Sequence, residues 1–187
     1  MNRLSGYAPL LLLLLLFFGG CERQQKHLRF DPDFITGKLR NGVSYYVRHN
    51  GKPDNRLELR LVVRTGSVLE EDDQQGLAHF LEHMAFNGTA HYDKQALVDY
   101  LEGIGMRFGP DLNAYTSFDE TVYKLQLPTD NAEAMDAGFR ILCDWAFGIR
   151  NDSEEIDAER GVVIEEWRSR RGARQRIWDK HFEILFH

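Results

Sequence analysis

The stretch GLAHFLEHMAFNGT, Gly76 to Thr89, places two histidines and a glutamate within five residues: His79, Glu82 and His83. Leu77, Phe80, Leu81 and Met84 recur around them at spacings of three and four, the period of a helix with one apolar face. Asn87-Gly88 ends that pattern. On a helix turning about 100° per residue, His83 lies about 40° from His79, so both imidazoles share a face. That is the arrangement a single zinc ion requires of two histidine ligands.

The usual order of such a helix is H-E-x-x-H, whereas this one reads H-x-x-E-H. Glu82 falls about 60° to the far side of His79, where the usual order puts its glutamate about 100° to the near side. Measured from the bisector of the two imidazoles, both lie about 80° away on opposite sides. The reversed motif is therefore a near mirror of the familiar one. Each sets the carboxylate beside the ion, within reach of a bound water and outside the ligand set, and the inverted order is itself a known zinc-site pattern. The plainer reading is two packed or solvated helix histidines. Against it stands the apolar surround: buried imidazoles beside a buried carboxylate are costly without a metal or a hydrogen-bond network.

A catalytic zinc takes three protein ligands and a water. The third is sought in DSEEIDAERGVVIEEWRSRRG, residues 152–172, which reads as a helix with Asp152 and Glu155 as a capping box. Glu159 and Glu166 are seven residues apart, about 20° from eclipsed and about 10 Å apart along the axis. One could reach the metal while the other holds an imidazole from behind. Spacing alone does not choose among Glu159, Glu165 and Glu166; Glu154, Glu155 and Asp157 read as a solvated face.

Working outward, residues 36–50 read as a hairpin turning at Asn41-Gly42 in a type I′ turn. NRLELRLVVRTG, 55–66, reads as a strand buried first on one face and, at Val62-Val63, on both. A helix is expected over 93–105 with Asp93 as N-cap, a strand over 120–128, and a helix over 129–148 with Asp130 and Glu133 as a capping box. Residues 173–187 are helical to the end. The order strand, strand, helix, helix, strand, helix, helix, helix predicts an α+β fold, a mostly antiparallel sheet with helices on one face.

The 187 residues, 43% hydrophobic and 28% charged, suit one globular domain. A formal net charge of −6 offers no nucleic-acid footprint. The leader differs from the rest. Arg3 precedes ten apolar residues, Pro9 to Phe18, then Gly19-Gly20-Cys21. That run is too short to span a bilayer comfortably and fits an export signal. Residues 1–20 are expected to be a signal of bacterial lipoprotein type, with lipid on Cys21, and residues 21–33 a polar tether. The protein is then exported and anchored in the cell envelope, facing the periplasm; a plain signal peptide or uncleaved anchor is the alternative. With Cys21 lipidated, Cys143 has no disulfide partner and is expected to be a buried, inert thiol.

Three blocks in order, GLAHFLEHMAFNGT, LNAYTSFDETVYKLQLP and IDAERGVVIEEW, resemble the pitrilysin/insulinase family of inverted-motif zinc peptidases, most nearly its large periplasmic bacterial members. The resemblance covers about residues 38–187 and implies the N-terminal peptidase domain, here 34–187 and truncated, with further domains beyond His187. It implies Zn2+ held by His79, His83 and Glu166, with Glu159 as a supporting acid. Glu82 would be the general base for a zinc-activated water hydrolysing peptide bonds. The family's usual gap from second histidine to ligand would fit Glu159; the local block points to Glu166, and RFGPD before LNAYTS reads as a short insertion that lengthens the gap. Asn113, Ala114 and Tyr115 would line the cleft and pair with a peptide or unfolded polypeptide substrate, unless NAYTS is a structural turn. The competing expectation is a non-catalytic homologue acting as a peptide-binding or scaffold half.

Overall fold

A computed structural model describes residues 29–104, 106, 107, 109 and 112–185. The leader, Cys21 and most of the tether lie outside the described residues. Two compact units divide the chain, one ending at Gly51 and the other beginning at Lys52. The first is a hairpin. β1 (Phe34–Lys38) runs antiparallel to β2 (Ser44–Arg48), with Phe34 opposite Arg48 and Lys38 opposite Ser44. Its turn is not the expected type I′. That type needs positive φ at both Asn41 and Gly42, and only Gly42, at φ 95°, has it. The Gly42 amide donates to Leu39 O (2.9 Å) and the Leu39 amide to Val43 O (2.8 Å), closing a three-residue loop with glycine at the left-handed position.

The second unit holds β3 (Arg56–Val63), α1 (Leu77–Met84), α2 (Lys94–Gly103), β4 (Leu112–Thr116), β5 (Thr121–Pro128), α3 (Ala132–Phe147), α4 (Ser153–Arg170) and α5 (Ala173–Leu185). Its sheet runs β3-β5-β4, antiparallel throughout, with Leu59 opposite Leu125 and Ala114 opposite Tyr123. The α+β architecture matches expectation. Two more strands appear than the predicted order contained, because the hairpin is a pair by itself and LNAYT forms β4.

Alternation along β3 and β5 sends Leu59, Tyr123, Leu125 and Leu127 to the buried face, where α2 and α3 supply Leu97, Leu101, Ile141 and Trp145. The opposite face stays open: Val62 is half exposed, so β3 is buried on one face along its whole length. Central β5 is the better shielded strand, which is why Val122 is buried and Val62, beside it on the outer strand, is not.

α3 fits against the sheet through Gly138. A Cβ there would stand 2.1 Å from the Leu127 methyl carbon and 3.3 Å from that of Leu59. Leu127 is fully buried and has nowhere to move. Gly138→Val is expected to cost about 1–3 kcal/mol by overpacking, read as a lowered denaturation midpoint; an unchanged midpoint would show that α3 stands off the sheet.

The caps differ from expectation. Asn131, rather than Asp130, caps α3, its side chain accepting from the Ala134 amide. Asp93 and Asp152 make no side-chain cap bond; both carboxylates face Arg150 instead, at 2.5 Å and 3.6 Å. Cys143 is exposed, correcting the buried thiol. It lies about 200° around α3 from the inward Ile141, on a face it shares with exposed Phe139 and Phe147.

Candidate metal centre

Two helices build the site. α1 is short, and its C-terminal end is pinned to α3: the Trp145 indole N–H donates to Ala85 O (3.0 Å), and its ring packs on Phe86 and Tyr123. At the start of α1, Glu70 accepts from the Gly76 and Ala78 amides, both at 2.8 Å, supplying from outside the helix the cap that Gly76 cannot. α4 is polar nearly all round and packs on α1. It carries Glu154 and Glu155 in its first turn and Arg168 and Arg170 in its last, the order that complements a helix dipole.

Packing α4 on α1 brings His79, His83 and Glu166 together. His79 Nε2 and His83 Nε2 are 3.2 Å apart; Glu166 Oε2 is 3.2 Å from the second and 3.5 Å from the first. Four ligands placed tetrahedrally at the usual zinc distances stand about 3.3–3.4 Å from one another, which this triangle reproduces.

The hydrogen bonding says which ring nitrogen faces the centre. His83 Nδ1 is 2.8 Å from Glu159 Oε1, and Asn87 Nδ2 donates to Glu159 Oε2 at 2.6 Å. Burial alone raises the Glu159 carboxyl, but the hydrogen bonds from Asn87 and His83 together outweigh it and hold the group below the usual carboxylate range. An ionised carboxylate can only accept, so His83 donates through Nδ1 and turns the lone pair of Nε2 inward. That lone pair meets an oxygen of Glu166 and a nitrogen of His79. The donor set, two imidazoles and a carboxylate with a carboxylate-backed histidine, is one that zinc takes. Glu165, the remaining candidate from spacing, points away and pairs with Arg168.

Glu82 is buried beside the triangle. The Thr116 hydroxyl donates to its Oε2 at 2.6 Å, and Thr121, 3.4 Å from that hydroxyl, donates in turn to Thr65 O at 2.9 Å. Burial, and then the charge of Glu82, push the phenol of Tyr123 well up, so Tyr123 stays neutral behind Glu82. A cleft of about 540 Å³ opens over these groups and is walled on one side by β4, including Asn113, Ala114 and Tyr115. Among the described residues, β4 is an edge strand of this sheet, as β3 is on the other side of β5. The Ala114 amide donates to the Asn113 side-chain oxygen (2.9 Å).

Sequence reasoning missed Asn87, Thr116 and Arg170. By type and place, Asn87 reads only as a helix stop. Thr116 sits inside NAYTS, whose period-two alternation puts it on the same face as Ala114, and Arg170, one turn beyond Glu166, pairs with the second oxygen of that carboxylate.

The family model described as Insulinase (Peptidase family M16) matches residues 42–182. The chain belongs to this peptidase family. Among curated relatives in the family, "Probable zinc protease PqqL" of Haemophilus influenzae is 41% identical over 178 residues, 93% of this chain and 19% of that protein. "Zinc protease PQQL-like" of Arabidopsis thaliana is 46% identical over 156 residues, 83% of this chain and 16% of that one. Among solved family structures, the first half of the periplasmic protease PqqL from Escherichia coli superposes with a TM-score of 0.77 at 42% identity, covering 80% of this chain and 32% of that one. The chain thus spans about a fifth of the length of these curated relatives.

If Glu159 backs His83 in the way described, Glu159→Gln should lower zinc affinity about 10- to 100-fold without abolishing binding, measured by competition with a chromophoric chelator. Affinity unchanged, or lost altogether, would contradict a supporting role.

Proposed function

We propose that this chain carries the catalytic site of a zinc endopeptidase, with His79, His83 and Glu166 as metal ligands, Glu159 behind His83, and Glu82 as general base. The observation that carries the proposal is the close triangle of His79 Nε2, His83 Nε2 and Glu166 Oε2 with Glu82 beside it. Family membership and relatives named zinc proteases support the same reading. Zinc, when bound there, supplies Lewis-acid polarisation and a water of lowered pKa.

The chain's own groups divide the remaining work. His83, oriented by Glu159, and His79 hold the metal face of α1 rigid. Glu82 takes a proton from the attacking water on the oxygen that Thr116 does not occupy, then returns it to the leaving amine. The edge of β4 offers backbone groups to an extended peptide; a substrate carbonyl would displace the Asn113 side chain from the Ala114 amide. An inactive scaffold half is disfavoured, because the metal donors and the base are all retained.

Two further readings belong to the same proposal. Residues 34–187 are part of the N-terminal peptidase domain of a longer polypeptide, and residues 1–20 export it, with lipid on Cys21 anchoring it in the envelope. The Escherichia coli relative's description as periplasmic supports the export. No helix among the described residues is long and apolar enough to cross a membrane. Mass spectrometry of the mature N-terminus tests the leader: an unmodified residue other than Cys21 there refutes the lipid.

The decisive test is zinc content together with cleavage of an unfolded polypeptide by the full-length protein. About one zinc per site, with hydrolysis stopped by a chelator and restored by zinc, is expected; no metal and no hydrolysis ends the proposal. Thr116→Val tests the support of the base. It should lower kcat about tenfold, the loss of one charge-assisted hydrogen bond, at unchanged zinc content, with Thr116→Ser restoring most of it.

A further inference from the structure

In a chain with 29 acidic and 23 basic residues, Trp167 to Trp178 contains five arginines and no acid. The structure folds this segment into a corner. α4 ends at Arg170, Arg171-Gly172 turn the chain, and α5 starts at Ala173. Two of the five have local duties, since Arg168 and Arg170 pair with Glu165 and Glu166. The other three do not. Among the described residues, no carboxylate lies within ion-pair distance of Arg171, Arg174 or Arg176; Arg29, Arg40, Arg56, Arg64 and Arg140 also have none, but only these three fall within a single six-residue stretch.

Arg171 lies over the Trp167 ring at 4.5 Å, which stiffens its guanidinium without neutralising it. With Arg168 and Arg176 it faces a concavity of about 480 Å³ whose single acid, Asp179, accepts from Gln175 at 2.7 Å. The α5 amino end adds partial positive charge at the same corner. The concavity neighbours the metal cleft along α4: Arg170 lines that cleft and the adjacent Arg171 lines the concavity.

We infer that this arginine corner is a binding site for acidic side chains of the polypeptide substrate, engaging Asp or Glu residues of a chain whose scissile bond lies over His79, His83 and Glu166. The inference rests on the peptidase reading and narrows its substrate class. An acidic peptide fits better than a nucleic acid or an anionic membrane. The net charge of −6 over these 187 residues disfavours an extended polyanion, while a short cationic corner next to a cleft suits a few carboxylates arranged along one strand.

The test uses the full-length protein with Glu82→Gln, so that peptides bind without being cut. Two labelled peptides of equal length are compared by fluorescence anisotropy, differing only in Glu against Gln at four positions. The Glu peptide should bind about tenfold more tightly, with an advantage that shrinks several-fold between roughly 50 and 200 mM salt. In a second protein also carrying Arg171→Gln, Arg174→Gln and Arg176→Gln, all exposed positions, the advantage should fall to within about twofold at unchanged thermal midpoint. Equal binding of both peptides, a preference that survives the three substitutions, or tighter arginine-dependent binding of an oligo-dT strand or phosphatidylglycerol vesicles overturns the inference. Zinc-dependent cleavage of the Gln peptide by the unsubstituted protein separates the two failures: cleavage without an acidic preference sinks this inference alone, and no zinc-dependent cleavage of either peptide sinks the peptidase reading and this inference with it.

Discussion

Glu82→Gln in the full-length protein should lower peptide hydrolysis by about 10²- to 10⁴-fold while leaving bound zinc unchanged. Glutamine keeps the shape of the side chain, and its carbonyl oxygen can still accept the Thr116 hydroxyl that now donates to Glu82 Oε2 at 2.6 Å. What it loses is the ability to take a proton from water and deliver one to the leaving amine. Zinc should stay because Glu82 is outside the triangle of converging donors. The pair of readouts matters more than either alone. Lost activity with retained metal identifies a base, whereas zinc leaving with the activity would make Glu82 a ligand and exchange its role with that of Glu166. Full activity in the Glu82→Gln protein would place proton transfer on some other group.

Glu166→Gln should weaken zinc binding by more than about 100-fold, beyond the range of a supporting residue. A neutral amide forfeits the charge that offsets the cation, and the second-oxygen partner Arg170 is left close to the site without its counter-ion. Activity disappears with the metal. Its comparison is Glu159→Gln, expected to retain weakened binding, because Glu159 touches His83 Nδ1 and Asn87 and takes no place in the triangle. Should Glu166→Gln keep full affinity and Glu159→Gln lose it, the ligand assignment is reversed. The Glu159 carboxyl is held below the usual range, so its contribution to stability is complete above that range and vanishes as pH falls through the depressed value. Apo protein should thus lose stability in acid faster when Glu159 is present than when glutamine replaces it.

Local periodicity made much of this legible. Spacings of three and four around HFLEH specified a helix, and four residues between histidines forced both imidazoles to one face, since nothing in a 3.6-residue period allows otherwise. The same arithmetic kept Glu159 and Glu166 on one stripe. Alternation in NRLELRLVV and YKLQLP specified strands, though it overstated the burial of Val62, because sheet order decides whether an apolar outer face is shielded. Caps and thiol burial escaped local pattern for a related reason. Asp93, Asp130 and Asp152 are all good cap residues by type, yet Arg150 competes for two of them and Asn131 is better placed than the third.

By itself the sequence determined most of the elements, with β4 the exception, along with the shared face of His79 and His83 and the short list of carboxylates. Tertiary structure alone decided where each carboxylate stands relative to the two imidazoles. Glu159 and Glu166 are equivalent on their own helix. They become different only when α4 lies on α1, so that Glu166 Oε2 comes 3.2 Å from His83 Nε2 while Glu159 Oε1 reaches the opposite nitrogen of the same ring. Thr116 and Asn87 joined the site the same way, from a strand and a helix end whose distance from Glu82 and Glu159 along the chain says nothing about distance in space. Periodicity is a property of neighbours in sequence and fixes directions around one axis; ligation needs atoms from two axes within about 4 Å, and only packing sets that.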